Sequence, residues 1–286
     1  MNRMLVVLLM LLALPAHAEM DAQVQAVQMP AWLQRGDSTR PLRAGLALQS
    51  GDRLITGTNA RIYVQTADGS TVKLGEKASL TIDELTRGQQ EESAFRAALN
   101  VAKGAFRFTT ANIAKLKSRD VTIRVASATV GIRGTDVWGK DGEEMGVVCL
   151  IEGKIAVAGA DGVEFAMDQP LSFYKIPKGA APLPVGKVEA EQLSKWAAET
   201  DIVQPAAQLG GRWRVALLTA PDQASALAAY DQWRDAGYDV QLQPAADGEG
   251  WTYTLYIGQL SSRAESERLA ASLKGHLGAE NPSASR

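Results

Sequence analysis

Between Arg214 and Tyr256 the chain holds side chains that could grip a sugar polymer. Arg214 lies in Trp213-Arg214-Val215-Ala216-Leu217-Leu218, Gln241 and Gln243 lie in Val240-Gln241-Leu242-Gln243, and Thr254 and Tyr256 lie in Tyr253-Thr254-Leu255-Tyr256-Ile257. Each segment alternates, and a strand sends successive side chains to opposite faces. Val215, Leu217, Val240, Leu242, Leu255 and Ile257 then share a buried side, leaving Arg214, Ala216, Gln241, Gln243, Thr254 and Tyr256 outward. Amides pair with hydroxyl and N-acetyl groups, a guanidinium pairs with a carboxylate, and an aromatic ring can lie against a sugar ring. The competing reading is an ordinary half-exposed sheet whose outer face is solvated. Trp213 and Trp251 by strand parity, and Trp233 by its place on a helix stripe, read as core or edge packing.

Groups that could break bonds are sparse, and no catalytic residues and no cofactor or metal are expected. Outside the first eighteen residues there is one histidine, His276, too little for a His-rich zinc site or a Ser-His-Asp triad. The pairs Asp83-Glu84, Glu91-Glu92 and Glu143-Glu144 are adjacent, so on a strand they point to opposite faces, whereas a glycosidase sets two carboxylates about 5 to 9 Å apart across a cleft. Solvated charge explains them more simply. Gly131-Ile132-Arg133-Gly134-Thr135-Asp136 lacks the spacing and the Lys-Ser/Thr ending of a phosphate loop and leads into a strand. Its reading is structural: Gly131 and Gly134 permit a bulge or close approach, and Arg133 and Asp136 are placed to pair across neighbouring strands.

The elements that would carry the outward set read as strand, helix, strand, strand, helix over residues 211–278. Thr219-Ala220-Pro221-Asp222 opens the first helix, Ala226, Ala229, Tyr230 and Trp233 form its apolar stripe, and Gly237 stops it. A turn near Asp247-Gly248 joins the two later strands, and Ser262 with Glu265 forms a capping box before Leu269, Ala270 and Leu273. The residues after His276 read as too short and polar for a further strand, and 279–286 as a disordered tail.

Trp213-Arg214-Val215-Ala216-Leu217, Ala236-Gly237-Tyr238 and Tyr253-Thr254-Leu255-Tyr256-Ile257-Gly258 resemble the signatures of the SPOR domain. The resemblance implies a small α+β fold (βαββα, ferredoxin/RNP-like) that binds peptidoglycan glycan strands stripped of their stem peptides, in a family with many members at the division site. On that footing the glycan-binding residues are Arg214, Gln241, Gln243, Thr254 and Tyr256, with Arg214 meeting the lactyl carboxylate of a bare muramic acid. Ala216, where the family carries a polar residue, and Leu218-Thr219-Ala220, where it carries G-x-F, favour a second reading in which this module binds protein.

Residues 30–175 alternate in short runs broken by Gly and by Asp-Gly at 68–69, 141–142 and 161–162, which predicts an all-β sandwich or roll. A hairpin is expected across Asp68-Gly69, and Ile113 to Lys117 is the one short helix candidate. Gly51-Asp52-Arg53-Leu54-x-Thr56-Gly57, Asp68-Gly69-Ser70-x-Val72-x-Leu74-Gly75 and Ala128-x-x-Gly131-Ile132-Arg133-Gly134-Thr135-Asp136 resemble the FecR domain. That resemblance implies an interaction or scaffold role towards an envelope protein; the transmembrane helix and cytoplasmic segment of the founding members have no counterpart here.

Composition sets the frame for both units. Met1 to Ala18 has a basic start, an apolar run from Met4 to Leu14 and Ala16-His17-Ala18 as a cleavage sequence, so export to the periplasm by a cleaved signal peptide is expected. That run is about half of what spans a bilayer, and no other stretch is apolar enough, so no membrane span is expected. Setting aside Arg3, 29 of the 30 Lys and Arg remain against 32 Asp and Glu, an acidic balance that argues against nucleic acid. The single Cys149, in Val147-Val148-Cys149-Leu150-Ile151, allows no internal disulfide and reads as a buried apolar residue. Residues 176–210 read as a linker with a short amphipathic helix over 188–199 bearing Leu193 and Trp196, and Thr200 to Gly211 as loose enough for independent motion of the two domains.

Overall fold

The computed structural model describes residues 20–87, 94–111, 118–159, 162–248 and 250–286. The β-rich part contributes β1 (Ala22–Gln28), β2 (Ala31–Arg35), β3 (Ser38–Pro41), β4 (Ala47–Leu48), β5 (Arg53–Thr56), β6 (Arg61–Thr66), β7 (Thr71–Leu74), β8 (Ser79–Arg87), β9 (Ala94–Thr109), β10 (Ser118–Val125), β11 (Ala128–Ile132), β12 (Asp136–Asp141), β13 (Met145–Glu152), β14 (Ile155–Ala158), β15 (Glu164–Met167), β16 (Ser172–Pro177) and β17 (Gly186–Lys187). After it come α1 (Ala190–Thr200), β18 (Ala207–Gln208), β19 (Trp213–Ala220), α2 (Gln223–Asp235), β20 (Val240–Asp247), β21 (Gly250–Leu260), α3 (Arg263–Leu273) and β22 (Ser283–Ser285).

Strand alternation makes the first part a two-layer β structure, as its period predicts. In β6, Ile62, Val64 and Thr66 are buried while Arg61, Tyr63 and Gln65 are not, the pattern of a strand with one face on a core. One layer runs β3–β2–β5–β8–β9–β10–β11–β14–β15. The other runs β1–β6–β7–β9–β12–β13–β16–β17. β9 belongs to both: Phe95 to Val101 pair with β8 and β10, and Gly104 to Thr109 pair with β12. Leu33, Leu54, Leu80, Ile123 and Val130 of one layer meet Val24, Ile62, Leu74, Phe106 and Phe108 of the other in a single core. The hairpin over Asp68-Gly69 is present as β6 and β7, and the stretch around Gly131 to Asp136 is two strands, β11 and β12, split by Arg133 to Thr135 where the chain passes from one layer to the other. The expected signal peptide over residues 1–18, the helix candidate Ile113 to Lys117 and the pair Glu91-Glu92 lie outside the described residues.

Residues 176–210 are not a free linker, which corrects that expectation. α1 lays Leu193 and Trp196 on the outer face of the second layer, against Trp138, Cys149 and Val188. Trp196 stacks on Trp138 at 4.8 Å between centroids and meets Phe173 edge-on at 5.8 Å; such pairs add about 0.5–1.5 kcal/mol beyond area burial. Beyond the helix, Asp201 accepts from Lys73 Nζ (2.6 Å), the Gln204 N–H donates to Gln28 Oε1 (3.2 Å), and β18 pairs with both β1 and β21. A segment read from composition as mobile is therefore held by partners far away in sequence.

The C-terminal part is an antiparallel sheet in the order β22–β19–β21–β20, with α2 and α3 on one side. Residues 279–286 are a second correction: Ser283–Ser285 form the edge strand β22 on β19, and Ala279 is fully buried. Three residues carry too little alternation to announce a strand, yet an edge position needs only one neighbour. Trp233 is in the core as expected, while Trp251 stands at the hairpin tip, 57% exposed.

The two parts meet along a packed seam. Met29 touches both cores, the Ala31 N–H donates to the Gly237 carbonyl (3.0 Å), Trp32 Nε1 donates to the Asp235 carbonyl (3.3 Å), and Gln259 Nε2 donates to the Ala44 carbonyl (3.2 Å). Gly237, which ends α2 at φ +87°, has no room for a side chain: a Cβ there would lie 2.5 Å from the Trp32 ring. Gly237→Ala combines left-handed strain with overpacking and is expected to destabilise the protein by about 2–4 kcal/mol. Urea unfolding followed by tryptophan fluorescence reads this, and an unchanged midpoint would refute the seam as described.

Candidate functional site

Four strands build the outward face of the C-terminal sheet, and it brings together all five residues singled out from the sequence. Arg214 extends across the ring of Tyr256, with its guanidinium carbon 5.2 Å from the ring centroid, and its Nη1 donates to Gln243 Oε1 (2.7 Å). Its Nε donates to Ser285 Oγ (3.1 Å), and the Tyr256 hydroxyl donates to Gln241 Oε1 (2.7 Å). Thr254 shares a hydrogen bond with Thr219 (3.2 Å). Arg214, Gln241, Gln243 and Tyr256 form one connected network, and Thr254 pairs separately with Thr219. The Arg214 Nη2 hydrogens and the NH₂ groups of Gln241 and Gln243 have no partner among the described residues, so donors for an acid and for carbonyl or hydroxyl oxygens stand ready. Tyr256 departs from expectation: the guanidinium lies over one side of its ring, so it supports Arg214 more than it offers a bare platform.

Sequence reasoning missed Thr219, Ser283 and Ser285. Opposed β-bulges explain the first. Gly258 and Gln259 oppose Arg214, and Leu217 is the extra residue that shifts β19 against β21 between Ala216 and Leu218. A bulge inverts side-chain parity beyond it. Strict alternation would bury Thr219; the bulge turns it outward beside Thr254. The serines come with β22, which no sequence periodicity marks.

Helix caps hold the sheet's backing. Asp222 accepts from the Ser225 N–H (2.9 Å) and hydroxyl (2.8 Å) at the start of α2. Ser262 Oγ accepts from the Glu265 N–H (3.2 Å), and the reciprocal Glu265 contact goes to Ser261 rather than Ser262.

In the β-rich part, the motif aspartates are buried clips, not a reaction centre. Asp52 takes Arg35 in a bidentate pair (2.6 and 2.7 Å), Asp68 takes Arg119 (2.9 Å) with Ser70, and Asp136 takes Arg107 (2.9 and 2.6 Å) with Thr109. Of the two residues expected to pair across neighbouring strands, Asp136 does so, with Arg107 on β9, whereas Arg133 is exposed and has no ion pair among the described residues. Gly134 turns the corner between layers at φ +75°. Hydrogen bonding to their aspartates raises the pKa of Arg35 and of Arg107. Burial pushes the Cys149 thiol up to about 12, so it stays protonated and unreactive. Of the paired carboxylates, Asp83 is in an ion pair with Arg124, and Glu143 and Glu144 are exposed. Among the described residues no cluster of three or more His, Cys, Asp or Glu could hold a metal ion, and no helix is long and apolar enough to cross a membrane.

Comparison with known families is decisive for both parts. The FecR protein family matches residues 52–156 and the SPOR domain family matches residues 209–285. The chain carries a FecR domain and a SPOR domain. The SPOR match runs through β22, and the FecR match spans the three aspartate clips at 52, 68 and 136. No curated protein matches the chain. Two crystal structures of a candidate anti-sigma factor from Parabacteroides distasonis ATCC 8503 are similar at 14% and 13% identity, with TM-scores of 0.39 and 0.40. Each comparison covers 78% of this chain and 90% of that one. Overlap that loose carries no argument about function.

The Asp222 cap gives the SPOR domain an acid-dependent element. The Ser225 N–H, and then its hydroxyl, hold the Asp222 carboxyl below its ordinary pKa. A depressed folded value means that its stabilisation is complete above the unfolded pKa of about 4 and is lost as pH falls through the folded value. The stability gap between wild type and Asp222→Ala is expected to be largest at neutral pH and to shrink in acid. Urea titrations at neutral and acid pH measure it, and a gap independent of pH would contradict the cap.

Proposed function

We propose that this is a non-enzymatic periplasmic protein that docks to peptidoglycan through its SPOR domain and presents its FecR domain to another envelope component. The ligand is the glycan strand after removal of its stem peptides, and the residues that grip it are Arg214, Gln241, Gln243, Thr254 and Tyr256, with Thr219 and Ser285 completing the face. The observation that carries this reading is the connected network on one open sheet face: a guanidinium fixed by Gln243, Ser285 and Tyr256, flanked by two amides. The SPOR match supports peptidoglycan as the ligand and the FecR match supports a regulatory role. Both families are non-catalytic. An extended face suits a polymer better than the clefts of about 700 and 600 Å³ on the FecR domain, the second of which mixes Lys77, Lys103 and Lys140 with Glu76, Glu143 and Glu199.

A second reading has a specific observation behind it. Arg214 covers one side of the Tyr256 ring, and Ala216 leaves the centre of the face without a polar group, which favours a protein partner over sugar.

Co-sedimentation of the full mature chain with purified sacculi separates the two readings. Retention is expected to rise after amidase treatment and to fall about 10- to 100-fold in Arg214→Ala, the value of one hydrogen-bonded charge contact. Retention on neither form of sacculus would leave the protein-binding reading. The periplasmic assignment has its own check: the exported protein should begin at Glu19, and a cytosolic, uncleaved chain would overturn it.

A further inference from the structure

Arg214 sits in a short piece of sheet that runs out of step with its surroundings. Trp213 pairs with Leu260 and Leu218 with Leu255 in one register, whereas Val215 with Ile257 and Ala216 with Tyr256, between them, are displaced from it by one residue. Two bulges bound this piece, one in β21 at Gly258 and Gln259, the other in β19 at Leu217. Residues directly opposite on paired strands share a face. In the flanking register Tyr256 would stand opposite Leu217, which is buried, and a one-residue slip carries side chains to the other face. The displaced register instead sets Tyr256 opposite Ala216, with the Arg214 guanidinium carbon 5.2 Å from its ring centroid. The contact that steadies Arg214 therefore requires the bulges.

The β21 bulge is held from the FecR side. Gln259 has φ +61°, a left-handed backbone that glycine adopts freely and glutamine does not. Gly258 is next to it, yet glutamine is the residue in that conformation. Strain of this kind persists only where neighbours enforce it. Here three do: Gln259 Nε2 donates to the Ala44 carbonyl (3.2 Å), Leu260 pairs with Ala207 of β18, and Gly211 lies so close that a Cβ on it would be 2.1 Å from the Gln259 carbonyl oxygen. Gln259 Oε1 is buried with no hydrogen-bond partner among the described residues. The amide serves this seam through its donor.

We infer that Gln259 is a positioning residue for the glycan face: its amide, tied to Ala44, pins the bulge that puts Tyr256 beside Arg214. This rests on the glycan reading above and deepens it, because the FecR side then helps to build the site that the SPOR domain offers. Bulges pin register in sheets generally, and an anchored bulge pins it to one place. Losing the tie frees the bulge to move along β21, and Arg214 loses the ring that holds it.

The test measures retention of the full mature chain on amidase-stripped sacculi for wild type, Gln259→Gly, Gln259→Asn, Arg214→Ala and the double variant Gln259→Gly/Arg214→Ala. Glycine relaxes the left-handed backbone and asparagine tolerates it, so both single variants at 259 are expected to melt as wild type does. Neither reaches Ala44. Each is expected to bind about 5-fold more weakly than wild type, the value of about one hydrogen bond. In the Arg214→Ala background Gln259→Gly should change nothing further, since a residue that acts through Arg214 has nothing left to place. Wild-type retention by Gln259→Gly or by Gln259→Asn would overturn the positioning role. An equal fall in both backgrounds would overturn it too, by making Gln259 a general support of the fold. Failure of wild type to bind stripped sacculi at all would remove the glycan reading and the positioning role with it.

Discussion

The two-residue strand β18 governs the arrangement of everything around it. Ala207 pairs with Val27 of the FecR side and with Leu260 of the SPOR side, and both Ala206 and Ala207 are buried. A backbone hydrogen bond contributes only about 1 kcal/mol net, so this strand would not form alone. It is held because the segment leading into it is anchored: Trp196 on Trp138, Lys73 to Asp201 and Gln28 to the Gln204 N–H each restrict the chain just ahead of the pairing. With β18 in place, Met29, Trp32 and Gly237 are driven together, and the outward face of the SPOR domain takes one orientation relative to the FecR domain. A partner of either domain therefore meets a fixed geometry rather than a bead on a tether.

Within the FecR domain the same logic of fixed geometry explains its motifs. Asp52 ties β5 to the end of β2, Asp68 ties the β6–β7 turn to β10 of the other layer, and Asp136 ties β12 to β9. Removing one partner of a buried pair costs far more than the pair contributes, about 3–5 kcal/mol, because a charge is stranded. Such pairs are poor sources of net stability but strong selectors of register. The two-layer strand β9, which changes neighbours between Val101 and Gly104, is where register errors would be easiest, and Arg107 pins its second half to Asp136.

Chemistry at the candidate face depends on how little must be ordered when a ligand arrives. A free arginine loses about 2 kcal/mol of side-chain entropy on being fixed. Here Gln243, Ser285 and the Tyr256 ring have already fixed Arg214, at the expense of one face of that ring. The arrangement favours recognition of charge and hydrogen-bond pattern over ring stacking. It also explains why an apolar Ala216 is tolerated at the centre: the guanidinium, not a side chain at 216, spans the sheet.

Local pattern determined a great deal of this protein. Alternation marked the β-rich architecture and the hairpin at Asp68-Gly69. Caps and Gly237 marked α2, Ser262 marked α3, and parity placed Arg214, Gln241, Gln243, Thr254 and Tyr256 on one face, because these signals act over a few residues and the backbone obeys them wherever it lies. Tertiary structure alone decided the rest. The bulge at Leu217 turned Thr219 outward, and β22 existed only because β19 had a free edge. Arg107 became the cross-strand partner of Asp136 because β9 crosses both layers, and residues 176–210 became part of the packing because Trp138 and Gln28 were waiting for them. Each of these depends on a partner far off in the chain, and such a partner leaves no periodic mark on the residues that it fixes.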